Sequence, residues 1–382
     1  MSNGESILKP NSAGDVADIV RAAAADRAKL RTARLSASEE LAANHRLLDL
    51  SGMSAVVDYP ARDMTITVQA GMPANELSRI LANERQQLPI DCFDRAMSVG
   101  AMVASDVAGS RQYGYGTLRD YVIGIEAVDG QGRVFHAGGR VVKNVAGYDL
   151  CRLMVGSRGS LAVITQVTFK LKPVPEQSLI RSFHFPRLES FSAALDRINV
   201  SAATPVVLDF AAAPATKADE RGPVSLTVGV EGSDSVCDWQ AEQIRGECGS
   251  DATQTFDSRD AGTRGDAAPE FRIPEHCRGF GYGWKSDHYR VAVLPSKLSN
   301  ITKAITDAGH HVVGHAGNGI LYAIASKQDS QLHQLCEQLT TRCGGSVSTW
   351  ESSHPARQTD PLSTRLRQTF DPHGLFDGSG EK

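Results

Sequence analysis

No stretch of the chain approaches the roughly 20 consecutive apolar residues that a membrane-spanning helix requires. The opening MSNGESILKP also lacks the basic-then-apolar profile of a signal peptide. Both absences lead to the expectation of a cytoplasmic location. Cysteine is sparse and unpatterned: Cys92, Cys151, Cys237, Cys248, Cys277, Cys336 and Cys343 are an odd number with no C-x-x-C spacing. That excludes a recognisable iron–sulfur or structural zinc signature, and the thiols read as buried. An excess of one charge is missing too, because 40 Lys+Arg against 44 Asp+Glu leaves a formal net charge of -4. So weak a field gives no argument for nucleic acid or an acidic membrane. The common nucleotide motifs fail as well. There is no G-x-x-x-x-G-K-[ST], and Gly114 and Gly116 in YGYGT lack the third glycine and the preceding parallel strand of a Rossmann fingerprint. Simple kinase or NAD chemistry is therefore disfavoured.

What is present is the composition of a globular protein, 41% hydrophobic and 22% charged over 382 residues, long enough to divide into two or more domains. SAGDVADIVRAAAADRAKL predicts a helix with Ser12 as N-cap and Val16, Ile19, Val20 and Ala23 on one face. TITVQA predicts a strand, stopped by Gly71 and Pro73 before the helix ANELSRILANE. YVIGIEAV and RVFHAGG predict a hairpin turning at Asp129-Gly130. A short helix follows with Asn144 as N-cap and Gly156 as its stop, and Gly138-Gly139 is a strand-end turn. SLAVITQVTFKLKPVP predicts a strand ended by Pro173 and Pro175, where the first domain also ends.

The second half repeats one order. A strand at 179–185, a helix at 189–199, strands at 205–210 and 224–230, a helix at 234–248 and a strand at 252–257 form a first βαββαβ unit. HYRVAVL, SKLSNITKAITDAG, HVVGH, ILYAIAS, SQLHQLCEQLTTRCG and SVSTWE form a second. Two such units predict one antiparallel sheet with helices on one face. The fold class is α+β: residues 1–174, then a cap of ferredoxin-like α+β units over 175–360, then a tail over 361–382 that folds back.

The densest chemical signal lies in SVGAMVASDVAGSRQYGYGTLRD, residues 98–120. Its small residues let backbone amides approach a bound group, with Arg111 and Arg119 to supply charge for a pyrophosphate and Tyr113 or Tyr115 to cover a ring. Small residues equally suit close helix packing. The residues by themselves leave these two readings even.

That stretch and its continuation through GGRVVKNVAGYDL and GSRGSLAVITQVTFKLKP resemble the FAD-binding domain of the vanillyl-alcohol oxidase and p-cresol methylhydroxylase (PCMH) family. They are most similar to the branch of E subunits of bacterial glycolate oxidases. The resemblance is strong over residues 55–175 and faint elsewhere. It implies a PCMH-type domain of two subdomains holding FAD, with contacts from Ser98, Val99, Gly100, Ala101, Ser105 and Gly109, and from Gly159 and Ile164 further on. Arg119 and Asp120 match the family's Arg-Asp pair, which can equally be a structural ion pair.

Departures from the family are specific. Its first glycine-rich loop falls just after Leu30, where this chain reads RTARLSASEELAANHRLLDL without glycine. HAGNGILY, residues 315–322, resembles the HAGDGNLH segment of the related oxidase domains, with Asn318, Ile320 and Tyr322 where aspartate, asparagine and the second histidine stand. Asn318-Gly319 alternatively reads as a type I′ turn that makes His315 an ordinary strand residue. FDPHGLFDG resembles the family's closing segment, in which Phe370, Leu375 and Phe376 can bury apolar area. The resemblance implies an FAD-dependent subunit that oxidises glycolate or a similar small 2-hydroxy acid, with Arg119, Lys143 and His315 as candidate catalytic residues and no metal. Its implied partners are a catalytic flavoprotein subunit and an iron–sulfur subunit. The missing glycine loop motivates the alternative of a flavin-free subunit that organises the flavoprotein beside it.

Overall fold

The computed structural model describes residues 7–32, 44–92, 94–139, 149–214, 223–261, 288–325, 330–349 and 361–376. They form two compact units. One takes in described residues 7–107, 117–173 and 361–376, the other 108–116 and 174–349.

The first unit opens with β1 (Ile7–Leu8), α1 (Ala13–Asp26), β2 (Lys29–Thr32) and β3 (His45–Leu48). These strands make a parallel three-stranded sheet in the order β1-β3-β2. Ser12 caps α1 by accepting the Asp15 N–H, and Val16, Ala17, Val20 and Ala23 are buried. This is the predicted face at helical spacing. β4 (Val56–Asp58), β5 (Thr65–Gln69), α2 (Ala74–Asn83), β6 (Gln86–Gln87) and α3 (Val99–Ser105) follow. After α4 (Gln112–Tyr115), which belongs to the second unit, come α5 (Leu118–Tyr121), β7 (Val122–Asp129), β8 (Val134–Gly138), α6 (Leu150–Met154), β9 (Ala162–Lys170) and β10 (Lys172–Pro173). β4-β5-β9-β7-β8 is an antiparallel five-stranded sheet, and β10 pairs with β6.

Three local expectations are corrected. In the β7–β8 turn the positive φ belongs to Gly132 (+70°), not to Asp129-Gly130. Gly130 is needed instead for close approach, since a Cβ there would lie 2.5 Å from the Asp371 carboxylate. α6 is capped by Asp149, whose side chain accepts the Arg152 N–H. Asn144, the expected cap, lies outside the described residues. Pro173 does not end strand pairing, because it sits opposite Gln86 in the β10–β6 ladder.

The second unit continues with β11 (Gln177–Phe185), α7 (Leu188–Asn199), β12 (Val207–Ala212), β13 (Val224–Gly232), α8 (Asp234–Cys248) and β14 (Thr253–Ala261). The same order returns in β15 (His288–Ala292), α9 (Leu298–Asp307), β16 (His311–His315), β17 (Ile320–Ile324), α10 (Ser330–Cys343) and β18 (Ser346–Thr349). All eight strands join one antiparallel sheet in the order β14-β11-β13-β12-β16-β17-β15-β18. Each half has the same internal order, and the halves meet through their second strands, β12 and β16. Leu179, Phe183, Phe185, Leu208, Phe210, Leu226 and Val228 pack with Phe191, Ile198, Ile244, Ile301 and Ile305 in one core. Alternate strand residues therefore face α7, α8 and α9, and the rest face the other way. The α+β class and the antiparallel second sheet are as expected.

The tail closes the first unit. α11 (Pro361–Phe370) leads into a turn in which the Asp371 carboxylate accepts the N–H groups of Leu375 and Phe376, both at 2.8 Å. The Gly130 N–H donates to the Phe370 carbonyl (2.7 Å), the Leu30 N–H donates to that of Leu375 (2.8 Å), and the Lys29 ammonium reaches that of Gly374. Leu375 and Phe376 enter the core around Val16, Val20 and Leu30, each burial being worth roughly 1.5–3 kcal/mol. Among the described residues no helix is long and apolar enough to cross a membrane. Replacing Asp371, itself 6% exposed, with Ala removes two buried charge-assisted hydrogen bonds. The expected loss is about 3 kcal/mol of stability, read as a lower urea midpoint at unchanged m-value.

Candidate functional site

In the first unit the candidate site is built on α3. Val99, Met102 and Val103 enter the core, whereas Ser98, Ala101, Ala104 and Ser105 are exposed or half-buried. The outward face of the helix thus carries only small side chains. Its first amides are already engaged within the chain. The Val99 N–H donates to the Met72 carbonyl at 2.8 Å and that of Gly100 to Ala70 at 2.7 Å, while that of Ala101 donates to the Ser98 hydroxyl at 3.2 Å. A Cβ on Gly100 would stand 2.9 Å from that of Ala70, so this glycine serves close packing of helix on strand. Of the two readings open for the small residues, packing accounts for Val99 and Gly100.

At the other end of α3, the loop after α6 returns. The Gly156 N–H donates to the Val103 carbonyl (3.0 Å) and that of Arg158 to Ala104 (2.7 Å). Gly156, Arg158 and Gly159 all have positive φ (78°, 57° and 73°). A Cβ on Gly159 would lie 3.3 Å from the Thr32 hydroxyl, so the loop runs beside the end of β2. The Ser157 hydroxyl is buried without a hydrogen-bond partner among the described residues. Ile164, 5% exposed, lies in β9 opposite Ala127. Of the run after Leu30, where the family's first loop is expected, residues 33–43 lie outside the described residues.

Arg119 is exposed on α5 and donates to the Arg152 carbonyl at 3.3 Å. Asp120 accepts the Thr117 N–H at 2.9 Å, so it caps its own helix rather than pairing with Arg119. Gly138 ends β8 with φ +68°, and a Cβ there would meet the Ile123 carbonyl oxygen at 2.1 Å. Lys143 lies outside the described residues. Cysteine chemistry is remote: burial pushes the thiols of Cys92, Cys248 and Cys336 up to about 12 and that of Cys151 to about 11. Among the described residues no three His, Cys, Asp or Glu side chains are grouped to hold a metal.

The segment 108–116, including Gly109, belongs to the second unit, apart from Ser98, Ala101, Ser105 and Gly159. Arg111 does not supply surface charge as expected; it is 5% exposed, with Nη1 3.8 Å from Glu231 Oε1. The Tyr115 hydroxyl donates to the other Glu231 oxygen. A Cβ on Gly114 would fall 2.6 Å from the Val206 Cα, and one on Gly317 would fall 1.9 Å from the Tyr113 ring. These two glycines let the aromatic segment lie against the start of β12 and the loop after β16. Burial raises the pKa of the Tyr113 hydroxyl.

His315 ends β16 at 3% exposure, its Nδ1 2.7 Å from Asp209 Oδ1 on β12. The turn that follows, Ala316–Gly319, is a four-residue loop in which Gly319 has φ +68° and Asn318 no positive φ. It is not the type I′ turn that Asn318-Gly319 suggests, since that turn needs both residues at positive φ. Sequence reasoning missed Asp209. Its only signal is an aspartate inside the apolar run VVLDFAAA, where an unpaired carboxylate is costly.

Residues 5–138 match the FAD_binding_4 family, an FAD binding domain. They are thus a flavin-binding domain of the PCMH type, and FAD is the cofactor of that family. Within this class the chain is 39% identical over 134 residues to glycolate oxidase subunit GlcE of Escherichia coli (strain K12), which covers 35% of this chain and 38% of that protein. The match to GlcE therefore spans well under half of that relative's length. A D-2-hydroxyglutarate dehydrogenase of Xanthomonas citri pv. viticola is 26% identical over 98% of this chain and 88% of its own. Among solved structures, an alkyldihydroxyacetonephosphate synthase shares the fold, with a TM-score of 0.71 over 97% of this chain and 75% of that one at 18% identity.

The residues present fit such a cofactor on one side and not on another. The small-residue face of α3, the left-handed loop at 156–159 and the unpartnered Ser157 hydroxyl suit an extended, flat, polar group. The engaged amides of Val99, Gly100 and Ala101 do not offer a diphosphate cradle.

Replacing Arg111 with Met removes the cation beside the buried Glu231 carboxylate. A loss of about 3 kcal/mol is expected in chemical denaturation. Adding Glu231→Leu is expected to recover part of it, because the buried carboxylate goes while the Tyr115 hydroxyl loses its acceptor.

Proposed function

We propose that this chain is an FAD-dependent subunit of a glycolate oxidase-like 2-hydroxy-acid dehydrogenase, acting on glycolate or a similar small 2-hydroxy acid. The observation that carries the reading is a conjunction. The FAD-domain sequence is 39% identical to a glycolate oxidase subunit, and a dehydrogenase of another 2-hydroxy acid aligns over 98% of the chain. Those two names share one reacting group, a hydroxyl on the carbon next to a carboxylate. When bound, FAD supplies a two-electron acceptor.

The chain's own residues then have distinct tasks. Ser98, Ala101, Ser105 and Gly159 line the cofactor face, with Val99, Gly100 and Ile164 fixing it from inside, and Gly109 lies in the segment 108–116 of the second unit. Lys143 or Arg119 holds the substrate carboxylate, and His315 takes the hydroxyl proton. Electrons leave through partners, a catalytic flavoprotein subunit and an iron–sulfur subunit, since no cluster-binding spacing occurs in this sequence. A cytoplasmic location belongs to the same proposal.

The engaged amides of Val99, Gly100 and Ala101 favour a second reading, a flavin-free subunit that organises a flavoprotein partner. The visible spectrum of the purified chain separates the two. The first reading expects a flavin band near ~450 nm that bleaches on adding glycolate or another small 2-hydroxy acid. A colourless protein in an active complex leaves the second. In the first case Lys143→Met is expected to raise KM for the acid roughly tenfold or more at unchanged flavin content.

A further inference from the structure

The sheet of the second unit holds two half-buried arginines, and the chain treats them oppositely. Arg181 on β11 lies 3.1 Å from the Glu242 carboxylate and 3.2 Å from that of Asp257. Arg290 on β15 has no such neighbour, and its guanidinium makes no hydrogen bond or ion pair among the described residues. Every other half-buried Arg or Lys among those residues is partnered.

Strand alternation places Arg290. Tyr289, Val291 and Val293 pack in or against the helix-side core, as do Leu321, Ala323 and Val347. Arg290, Tyr322 and Ser348 therefore share the other face of the sheet. Arg290 stands directly opposite Tyr322 of β17 on one side and Ser348 of β18 on the other, and all three are half-buried. The Tyr322 ring meets that of His288, itself 4% exposed, edge to face at a centroid distance of 6.0 Å.

No acid in these strands compensates the cation. β15, β16, β17 and β18 contain no Asp or Glu, while they contribute Arg290, His288, His311 and His315. On this face of the sheet Asp209 is three strands away, roughly 14 Å or more, and is engaged with His315. Holding a charge partly out of water without a counter-ion is unfavourable. At Arg181 the chain supplies two counter-ions; at Arg290 it supplies none.

We propose that Arg290 is the centre of a small-carboxylate binding site on the helix-free face of β17, β15 and β18. A planar guanidinium pairs both oxygens of a carboxylate through parallel N–H donors. Its single charge balances one carboxylate, and these strands carry no second Arg or Lys to balance a phosphate dianion. Tyr322 walls one flank, and the Ser348 hydroxyl offers a further donor on the other. The site is built wholly within the second unit and stands whether or not this chain oxidises a 2-hydroxy acid.

Calorimetric titration of the full chain with acetate, glycolate and inorganic phosphate, in a buffer free of other carboxylates, reads the site. Acetate, which has no hydroxyl to oxidise, separates it from catalysis. Acetate is expected to bind at one site per chain with a Kd between about 10 μM and about 1 mM, and phosphate about tenfold more weakly. Arg290→Gln is expected to weaken acetate roughly tenfold or more at an unchanged urea midpoint. Arg290→Lys keeps the charge and loses the fork, and is expected to weaken it about three- to tenfold. With binding centred on Arg290, glycolate bound about tenfold more tightly than acetate identifies a 2-hydroxy acid as the occupant. Equal affinities identify an acid recognised by its carboxylate alone. No saturable acetate binding, a wild-type acetate Kd in Arg290→Gln or Arg290→Lys, or phosphate bound more tightly than acetate overturns the assignment.

Discussion

The antiparallel pairing of β12 with β16 is the constraint on which the second unit depends. Each βαββαβ half buries one face of four strands under helices and leaves its second strand with an open edge. Joining those edges satisfies both ladders and turns two four-stranded halves into one eight-stranded sheet. Its register has chemical consequences, because it places Asp209 beside His315. A shift by one residue would turn Asp209 into the core under the helices and bring Phe210 out. The apolar alternation of both strands thus holds a hydrogen-bonded polar pair at the seam.

A second consequence concerns residues 98–120. In sequence this run belongs with the FAD-binding domain; in space it is divided. α3 stays in the first unit, and residues 108–116 are built into the second through Arg111, Tyr113, Gly114 and Tyr115. The division explains why one glycine-rich stretch carries two kinds of small residue. Gly100 is small because Ala70 is beside it, Gly114 because Val206 is, and neither requires a ligand. Ala101 and Ser105 lie on the outer face of α3, exposed and half-buried.

Much of the architecture was legible. Ser12 with Asp15 and the spacing of Val16, Val20 and Ala23 define α1 without tertiary information. The repeated strand and helix order over 179–349 predicted the antiparallel second sheet. Two of the misreadings, both of turns, have one cause. Asn318-Gly319 and Asp129-Gly130 carry the composition of tight hairpin turns, but loop length and neighbours chose otherwise. Ala316–Gly319 is a longer connection, and Gly130 is small because Asp371 packs on it. Turn propensity is a backbone preference of about a kilocalorie, and a buried contact from a distant segment outweighs it.

By itself the sequence determined the identity of the elements, the flavin-domain likeness carried by long motifs, and the absence of cluster and P-loop spacings. These are local properties, set by side-chain period and residue type. Only the tertiary structure decided which partner each polar residue meets. It took Arg111 from a suggested phosphate contact to a buried partner of Glu231, made Asp120 a cap, and brought out Asp209, which stands 106 positions from His315. Such pairings depend on the register of strands far apart in the chain, and no periodicity within either strand encodes it.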